Sequence, residues 1–281
     1  MSVEKIYTKN NIVLTISYDG TNFCGWQKQQ KYGVESARTV QGEIEKALTK
    51  IHKGSTDIFG SGRTDSGVHA RGQIANFYSP YTRMQPENYV QALNSLLPSD
   101  VRIMKAKYVF DSFHARFFSQ ARTYRYFCEC APEITAWQTR YSWHIRRTPH
   151  LALLNDMASV LQGELDCTTF SASGDESKSK FRYIENAHFF FQDSVLVFEI
   201  TANAFLYRMV RSILGTLLDL EKKMGTPADF FKVLTACNRS LAGPTAPPQG
   251  LFLWDVLADT GNRLKCILSR SKNDIEKIPR A

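Results

Sequence analysis

Hydrophobic residues recur at two different spacings along the chain, and each spacing predicts one kind of element. Residues 11–18 alternate apolar and polar side chains, which is the pattern of a β-strand with one buried face. Residues 40–51 carry an apolar side chain at every third or fourth position, which predicts an amphipathic helix. As far as residue 128, the same patterns predict a short strand ending near Phe59, a strand at 73–78, a helix at 86–96, and strands at 101–110 and 122–128.

The second half of the chain repeats this order of elements. The predicted elements are a helix at 149–161, strands at 181–191 and 194–201, a long helix at 204–221, a helix that starts at Pro227 and a last strand at 250–256. The shared order indicates the α+β class, with two similar α/β subdomains, mostly antiparallel sheets and helices on one face. The predicted division is an N-terminal subdomain at 1–112, a C-terminal subdomain at 113–258 and a basic tail at 259–281.

The composition is that of a folded protein. The chain has 281 residues, of which 43% are hydrophobic and 22% charged, and this balance excludes a disordered chain. The longest segment without Asp, Glu, Lys or Arg, 240–254, contains three prolines and therefore predicts no membrane helix. The first ten residues lack the apolar run of a signal peptide, and the six cysteines are spread along the chain, so we expect a cytoplasmic protein with free thiols.

Positive charge is in excess and unevenly distributed. The chain has 35 Lys and Arg against 27 Asp and Glu, a net charge of +8, and nine of these cations against three acids lie between Arg102 and Arg147. Aromatic residues are interleaved with the cations there, which suits a polyanion that carries stackable bases. A solvated strand edge with ordinary core aromatics is the alternative. The polar segment 171–180 is predicted to be a flexible loop, and the tail is interpreted as a frayed terminus rather than an RNA contact.

The densest candidate for chemistry is the segment 60–70, GSGRTDSGVHA. Three glycines in eight residues allow the backbone to turn tightly and to approach a ligand closely, with Asp65 between them. An isolated aspartate in such a turn is more often a hydrogen-bonded turn residue or a helix cap than a catalytic group. The segment lacks the Gly-Lys-Ser/Thr ending of a phosphate-binding loop.

This segment resembles the catalytic motif of the TruA family of tRNA pseudouridine synthases. Four further segments resemble the other motifs of that family in order and spacing: 18–20 with 25–27, 113–117 with 122–126, 203–205 with 209–211, and 245–247 with 250–251. The resemblance spans about residues 11 to 257. The chain departs from the family pattern at Ser66, at Cys167 and in the additional length of residues 31–38, and none of these departures removes a catalytic side chain.

The resemblance implies a pseudouridine synthase fold, in which two subdomains meet in a basic cleft, and the isomerisation of uridine to pseudouridine. It also implies that the substrate is tRNA, modified at positions 38 to 40 of the anticodon stem-loop, and that the protein is a homodimer. The reaction needs no cofactor and no metal. By the resemblance Asp65 is the catalytic group, either as a nucleophile at C1′ of the ribose or as a base at C2′, and the sequence does not choose between the two.

The resemblance also implies the roles of further site residues. Arg211 would pair with Asp65, with exposure to solvent as the alternative, and Tyr124 would stack on the flipped base, although Tyr126 shares its strand face. Arg63 would hold phosphate or displace the base, and Leu251 or Leu253 would close the pocket. The candidate RNA contacts are Lys28, His69, Arg71, Arg116, Arg122 and Arg125.

Two other functions are compatible with the sequence. One is a catalytically inactive tRNA-binding protein on the same fold, and the presence of Asp65, Tyr124 and Arg211 together argues against it. The other is a pseudouridine synthase that acts at other RNA sites. A metal site formed by Asp65 with His69 and His114 has no ligand spacing to support it.

Overall fold

The computed structural model describes residues 10–31, 34–35 and 37–260. Residues 32, 33 and 36 of the predicted additional segment 31–38, and the predicted basic tail from residue 261 onward, lie outside these described residues. The strands are β1 (Asn11–Tyr18), β2 (Gln30–Lys31), β3 (Val34–Glu35), β4 (Phe59–Gly60), β5 (His69–Tyr78), β6 (Val101–Tyr108), β7 (Ser119–Glu129), β8 (Trp143–His144), β9 (Gly163–Asp166), β10 (Phe181–Gln192), β11 (Val195–Ala202) and β12 (Leu251–Ala258). The helices are α1 (Val40–His52), α2 (Pro86–Leu96), α3 (Ala115–Phe118), α4 (Leu151–Ala158), α5 (Met209–Lys222) and α6 (Pro227–Thr235).

One mostly antiparallel sheet of ten strands runs through both halves of the chain, which confirms the predicted α+β class. Its strand order is β6-β1-β5-β12-β7-β11-β10-β9, with β4 pairing with β5 and β8 with β7. The first half therefore contains the order β6-β1-β5-β4 and the second half the order β12-β7-β11-β10. In each half the strand that comes first in the sequence, β1 or β7, lies inside the order, and the strand that comes last, β6 or β12, lies beside it. The similar order of elements in the sequence thus corresponds to a similar order of strands in space.

The two halves meet along one edge of β5. At its carboxyl end β5 pairs with β4, through Asn76 opposite Phe59. At its amino end the same edge of β5 pairs in parallel with β12, through His69 opposite Phe252. The loop 61–68, which contains Asp65, connects β4 to β5 and therefore lies at the junction of the halves. The predicted subdomain boundaries at residues 112 and 258 remain a prediction, but the sheet continues across the first of them.

The strand and helix patterns seen in the sequence are confirmed where one face is buried. Ile12, Leu14 and Ile16 of β1 are fully buried, and α1 buries the stripe that contains Ile44 and Leu48. The side chain of Thr39 accepts a hydrogen bond from the N–H of Gly42 and caps the amino end of α1. These residues belong to one hydrophobic core that contains side chains from both halves.

Helix α5 begins at Met209, five residues later than predicted. The preceding residue, Arg208, has a φ of +59°, a left-handed conformation that cannot continue a right-handed helix. The apolar residues before it, which suggested an earlier start, belong to an irregular turn. Strand β5 begins at His69, four residues earlier than predicted, because β12 supplies a pairing partner for a segment without apolar alternation.

The segment 171–180, predicted to be flexible, is held by its own polar side chains. The carboxylate of Asp175 accepts hydrogen bonds from Lys180 Nζ at 2.7 Å and from the N–H of Ser177 at 2.8 Å. It also accepts the N–H of Tyr207, which lies in the turn before α5. Within the described ranges, every helix is too short or too polar to span a membrane.

Candidate active site

The Asp65 loop is fixed by backbone hydrogen bonds along its length. The N–H of Ser61 donates to the carbonyl of Ile74 at 2.9 Å, and the carbonyl of Thr64 accepts from the N–H of Trp26 at 3.1 Å. Gly20, in the segment after β1, lies so close that a Cβ atom there would come within 2.0 Å of the loop at the carbonyl of Val68. The first motif of the sequence therefore contributes glycine because its backbone packs directly against the catalytic loop.

Buried polar side chains support the loop from the sheet. Gln73 of β5 is fully buried; its Oε1 accepts from Ser61 Oγ at 2.7 Å and its Nε2 donates to the carbonyl of Gly62 at 2.8 Å. The hydroxyls of Tyr18 and Thr64 share a hydrogen bond of 2.8 Å. The burial of Gln73 in its strand and of Thr64 in its loop has no local sign in the sequence, because it is set by contacts with segments distant in the chain.

The central contact of the site is an ion pair between Asp65 and Arg211. Nη1 of Arg211 lies 2.9 Å from Oδ2 of Asp65, and the two side chains are only 10% and 18% exposed. Nε of Arg211 donates to the carbonyl of Ala246 at 2.7 Å, so the guanidinium has two fixed partners. The predicted pairing is confirmed, and the alternative, an arginine that extends from the helix into solvent, is wrong.

Tyr124 of β7 lies next to this pair. It is buried, and its ring contacts Phe205 edge-on with centroids 5.1 Å apart. Burial raises the pKa of its hydroxyl, and the negative charge of Asp65 raises it further. A phenol is already neutral at pH 7, and the raised pKa keeps the Tyr124 hydroxyl protonated, and able to donate a hydrogen bond, further into the alkaline range. Leu253 of β12 pairs directly with Tyr124 in the ladder.

Tyr126, which shares a strand face with Tyr124, has a different environment. Its hydroxyl donates to the carbonyl of Pro247 at 2.7 Å, and a Cβ on Gly250 would lie 2.4 Å from its ring. It is fully buried, which identifies it as a packing residue. The ladder partner of Tyr126 is Leu251 and that of Tyr124 is Leu253, so of the two leucines predicted to close the pocket Leu253 is the one that neighbours Tyr124 and Leu251 lies two residues away along the strand.

Arg63 lies on the exposed side of the loop. Its Nε donates to Gln27 Oε1 at 2.7 Å, which links two of the sequence motifs. Lys28 forms an ion pair of 2.9 Å with Glu45. Both cations are at least partly accessible to solvent, and Arg116 is fully exposed.

Two predicted RNA contacts lie on the opposite face of the sheet from Tyr124. Arg125 follows Tyr124 in β7, and adjacent strand residues point to opposite faces. Arg125 forms an ion pair with Glu199, and its guanidinium lies 4.3 Å from the ring of Trp254. Arg71 lies over the same ring at 4.7 Å. Arg71 and Arg125 are therefore not part of the cleft that contains Asp65.

His69 and Arg122 form hydrogen bonds with the backbone of the protein instead of lying free at the surface. His69 is fully buried: its Nδ1 accepts from the N–H of Gly20 at 3.0 Å, and its ring stacks on Phe252 at 4.5 Å. Its Nε2 faces the carbonyl of Gln249 at 3.1 Å, and burial lowers its pKa, which favours the neutral ring. The interpretation of His69 as an RNA contact is thus corrected, because the ring offers no surface to a ligand.

Arg122 connects two segments of the site through its guanidinium. Nη2 donates to the carbonyl of Ser61 at 2.7 Å and Nη1 to that of Asn203, also at 2.7 Å. Weaker bonds of 3.3 Å reach the carbonyls of Ser119 and Arg116. Because these donors are occupied by backbone, we reassign Arg122 from phosphate contact to a link between the catalytic loop and the turn before α5.

The site therefore brings a carboxylate, a guanidinium and a neutral phenol into one half-buried place. A carboxylate held in this way can attack an electrophilic carbon or remove a proton from a substrate atom placed against it. Among the described residues, no group of three or more His, Cys, Asp and Glu side chains is arranged to hold a metal ion.

Comparison with known proteins agrees with this arrangement. A family model described as tRNA pseudouridine synthase matches residues 14–117 and 157–257, segments that include Asp65, Arg211 and Leu253. The chain belongs to the tRNA pseudouridine synthase family.

Individual relatives are similar over most of their length. The chain is 58% identical to tRNA pseudouridine synthase A of Treponema denticola over 248 residues, which cover 88% of this chain and 92% of that protein. It is 52% identical to tRNA pseudouridine synthase A of Treponema pallidum over 233 residues, 83% of each chain. For tRNA pseudouridine synthase A of Borreliella afzelii the identity is 42% over 243 residues, 86% of this chain and 96% of that protein.

Proposed function

We propose that this protein isomerises uridine to pseudouridine in tRNA, with Asp65 as the catalytic group. The observation that carries the proposal is the 2.9 Å pair of Asp65 and Arg211 in a site that also contains Tyr124. Membership of the family and the names of the relatives support the same reaction and the same substrate.

The reaction breaks the bond between N1 of uracil and C1′ of the ribose and forms a bond between C5 and C1′. The proton at C5 is lost and N1 gains one, so no group is added or removed. In one route a carboxylate oxygen of Asp65 attacks C1′ and forms a covalent sugar ester, which the rotated base then displaces through C5. In the other route Asp65 removes the C2′ proton and a glycal forms.

Arg211 and Tyr124 have separate tasks in this proposal. Arg211 fixes the carboxylate and keeps it charged when a bound base excludes water from the cleft. Tyr124 provides an aromatic face for a uracil that has left the base stack. Its hydroxyl is neutral at pH 7 and stays protonated into the alkaline range because burial and Asp65 raise its pKa, so it is available to donate a hydrogen bond to the base.

Two finer parts of the proposal come from the family resemblance alone, modification at positions 38 to 40 of tRNA and a homodimer. A third, a cytoplasmic location, is an expectation from the sequence and suits an enzyme that acts on tRNA. A dimer is physically reasonable, because one small cleft cannot hold both the body of a tRNA and its anticodon arm. Mapping pseudouridine in RNA from cells that lack the gene tests the positions and separates this function from action at other RNA sites.

The first test of the function is tritium release from tRNA labelled at uracil C5. The wild-type protein is expected to release tritium and Asp65→Asn none, because the amide can neither attack C1′ nor remove a proton. Asp156→Asn is the matched control, since Asp156 is an exposed aspartate on α4. Failure of the wild type to release tritium from any tRNA, with salt-dependent binding retained, would establish the inactive binding protein instead.

A further inference from the structure

A row of two half-buried aromatic rings and one exposed ring lies beside the Asp65 loop. The rings are those of Phe59 in β4, of His114 directly before α3 and of Phe117 in α3. Their centroids are 5.0 Å apart from Phe59 to His114 and 4.6 Å apart from His114 to Phe117, with tilts of about 40° in both contacts. Phe117 is 74% exposed, and no large hydrophobic side chain among the described residues is more exposed. We call these three residues the aromatic platform.

The position of Phe117 is set by the short helix that carries it. The neighbouring Phe118 turns inward and packs against Phe110 and Phe113 at centroid distances of 5.0 and 5.6 Å. Ala115, at the start of the helix, is fully buried. Successive helical residues point about 100° apart, so a helix with Ala115 and Phe118 in the core directs Phe117 outward. The backbone of the helix therefore directs this ring outward, and a change of side-chain rotamer would not return it to the core.

The base of the platform is rigid. Two fully buried asparagines hold the backbone around it: Asn76 Oδ1 accepts from the N–H of Ala115 at 2.8 Å, and Asn11 Nδ2 donates to the carbonyl of Phe113, also at 2.8 Å. The two amides are themselves joined by a bond of 3.0 Å. A ligand that stacks on the platform meets a surface that is already ordered, which lowers the entropy lost on binding.

The platform adjoins the active site through two direct connections. Phe59 lies in the strand that leads into the Asp65 loop, two residues before Ser61. The guanidinium of Arg122 bonds to the carbonyls of both Ser61 and Arg116, and so ties the loop to α3. A molecule on the platform is therefore next to the entrance of the cleft.

We propose that the aromatic platform binds an unpaired base of the RNA substrate, adjacent to the nucleotide that enters the active site. The proposal rests on the proposed function for the identity of the RNA. Base–aromatic stacking is tolerant of sequence and suits a flat exposed ring. Arg116 is exposed, and its guanidinium lies 6.0 Å from the Phe117 ring, where it can contact the phosphate of the stacked nucleotide.

The chemistry around the platform favours a nucleic acid over a protein segment as the occupant. Two cations border the platform, Arg116 beside the Phe117 ring and Arg122 at the carbonyl of Arg116, and the chain as a whole has a net charge of +8. Burial and the neighbouring Arg116 lower the pKa of His114, so the middle ring of the row is uncharged at neutral pH and stacks as an aromatic. An aromatic row bordered by cations matches a single-stranded base with its phosphate.

The test separates stacking from charge by measuring tRNA affinity at several salt concentrations. Phe117→Ala is expected to weaken binding about 5- to 100-fold without changing the slope of log affinity against log salt, because stacking releases no counterions. Phe117→Trp is expected to retain wild-type affinity. Arg116→Gln is expected to reduce the slope by about one. Phe231→Ala, which removes a 51% exposed ring from α6, is the matched control and should leave affinity unchanged.

A second measurement locates the base directly. tRNA carrying 5-iodouridine at single unpaired positions is irradiated with the protein, and cross-linked peptides are identified by mass spectrometry. A cross-link to the peptide that contains Phe117, absent in Phe117→Ala, supports the platform. Cross-links only to other peptides, together with unchanged affinity of Phe117→Ala, overturn it.

The platform and the proposed function can fail separately. Tritium release by the wild type with unchanged affinity of Phe117→Ala overturns the platform and leaves the isomerase intact. Weakened binding by Phe117→Ala without tritium release by the wild type supports the platform and overturns the isomerase.

Discussion

The Asp65–Arg211 pair holds two opposite charges in a place where water has little access. Arg211 can occupy this position because two of its guanidinium nitrogens have fixed partners, Nη1 the carboxylate of Asp65 and Nε the carbonyl of Ala246. Removal of one member of a shielded pair leaves the other charge without compensation, which commonly costs about 3–5 kcal/mol of stability when the pair is fully buried. Conservative substitutions are therefore the informative ones here.

Arg211→Lys is expected to lower the single-turnover rate at least about 100-fold while tRNA affinity changes less than about threefold. A lysine has one nitrogen and cannot reach Asp65 and the carbonyl of Ala246 together, so the carboxylate loses its orientation. The measurement compares single-turnover rates with equilibrium binding of the same tRNA.

Arg147→Lys is the matched control for that substitution. Arg147 pairs with Glu221 and donates to the carbonyl of Leu218, the same combination of partners near the other end of α5. Its replacement should leave turnover unchanged. Equal losses of rate and affinity in Arg211→Lys, or an equal loss of rate in Arg147→Lys, would contradict a positioning role for Arg211.

Buried tyrosines make the stability of the protein sensitive to alkaline pH. Burial raises the pKa of Tyr18, Tyr124 and Tyr126 above the ordinary value of 10.0. Above pH 10 the unfolded tyrosines have lost protons that the folded ones retain, so the free energy of unfolding falls as the pH rises and is unaffected by them below pH 10. The loss is about 1.4 kcal/mol per pH unit for each tyrosine.

The measurement is urea unfolding at several pH values between 8 and 11, for the wild type and Tyr126→Phe. The variant is expected to lose stability less steeply above pH 10, because it has one fewer group to ionise on unfolding. Parallel losses in the two proteins would show that Tyr126 does not titrate differently in the folded state.

At the scale of elements, helix α5 connects the active site to the segment that leads into β12. The N–H of Ala246 donates to the carbonyl of Arg211 at 3.1 Å, and the N–H of Gly243 donates to Thr216 Oγ1 at 2.9 Å. The approach is close because Gly215 has no side chain: a Cβ there would lie 1.7 Å from the carbonyl oxygen of Pro244. The position of Arg211 thus depends on a backbone contact one helical turn away.

Gly215→Ala is expected to destabilise the protein by about 1–3 kcal/mol and to lower activity, although alanine is the better helix former. The new methyl group would displace the chain from Gly243 to Ala246, which holds the guanidinium of Arg211. The measurement is urea unfolding together with the single-turnover rate.

Gly54→Ala provides the control, since a Cβ at Gly54 would meet nothing within 4 Å. This change should be neutral or slightly stabilising. A stabilising effect of Gly215→Ala would show that α5 can move away from the segment without cost, contrary to the packing described above.

At the scale of the whole molecule, the two halves of the chain share one sheet and one hydrophobic core. The pairing of β5 with β12 joins them at the centre of the sheet, and the Asp65 loop lies at this junction. Of the two residues of the ion pair, one comes from each half, since Asp65 precedes β5 and Arg211 lies on α5. The site exists only when both halves are folded together.

We therefore expect urea to unfold the protein in a single transition. Two variants are made, one with Trp26 in the first half as its only tryptophan and one with Trp143 in the second half. In each variant, the midpoint from tryptophan fluorescence should equal the midpoint from circular dichroism of the same variant, which reports on the whole chain. Two separate midpoints would show that the predicted subdomains 1–112 and 113–258 fold independently in spite of the continuous sheet.

The local sequence determined several secondary-structure elements of this protein and the position of the Asp65 loop. The alternation in β1 and the apolar stripe of α1 fix those elements, because a segment with one buried face must repeat its apolar residues at the period of its own backbone. The glycine-rich motif identified the Asp65 loop for a similar reason: tight turns and close approaches restrict which residues fit. Five such motifs in order were enough to indicate the family and the candidate catalytic residue.

Only the tertiary structure decided the environment of individual side chains, because that environment depends on contacts between segments distant in the sequence. Tyr124 and Tyr126 are equivalent by strand period, and only the approach of Asp65 to one and of Pro247 to the other distinguishes them. His69 and Arg122 are polar residues that bind backbone carbonyls of the other half of the chain, His69 that of Gln249 and Arg122 that of Ser61. The outward direction of Phe117 likewise follows from the packing of its neighbours. Local patterns report one face of one element, whereas a site is formed where the faces of several elements meet.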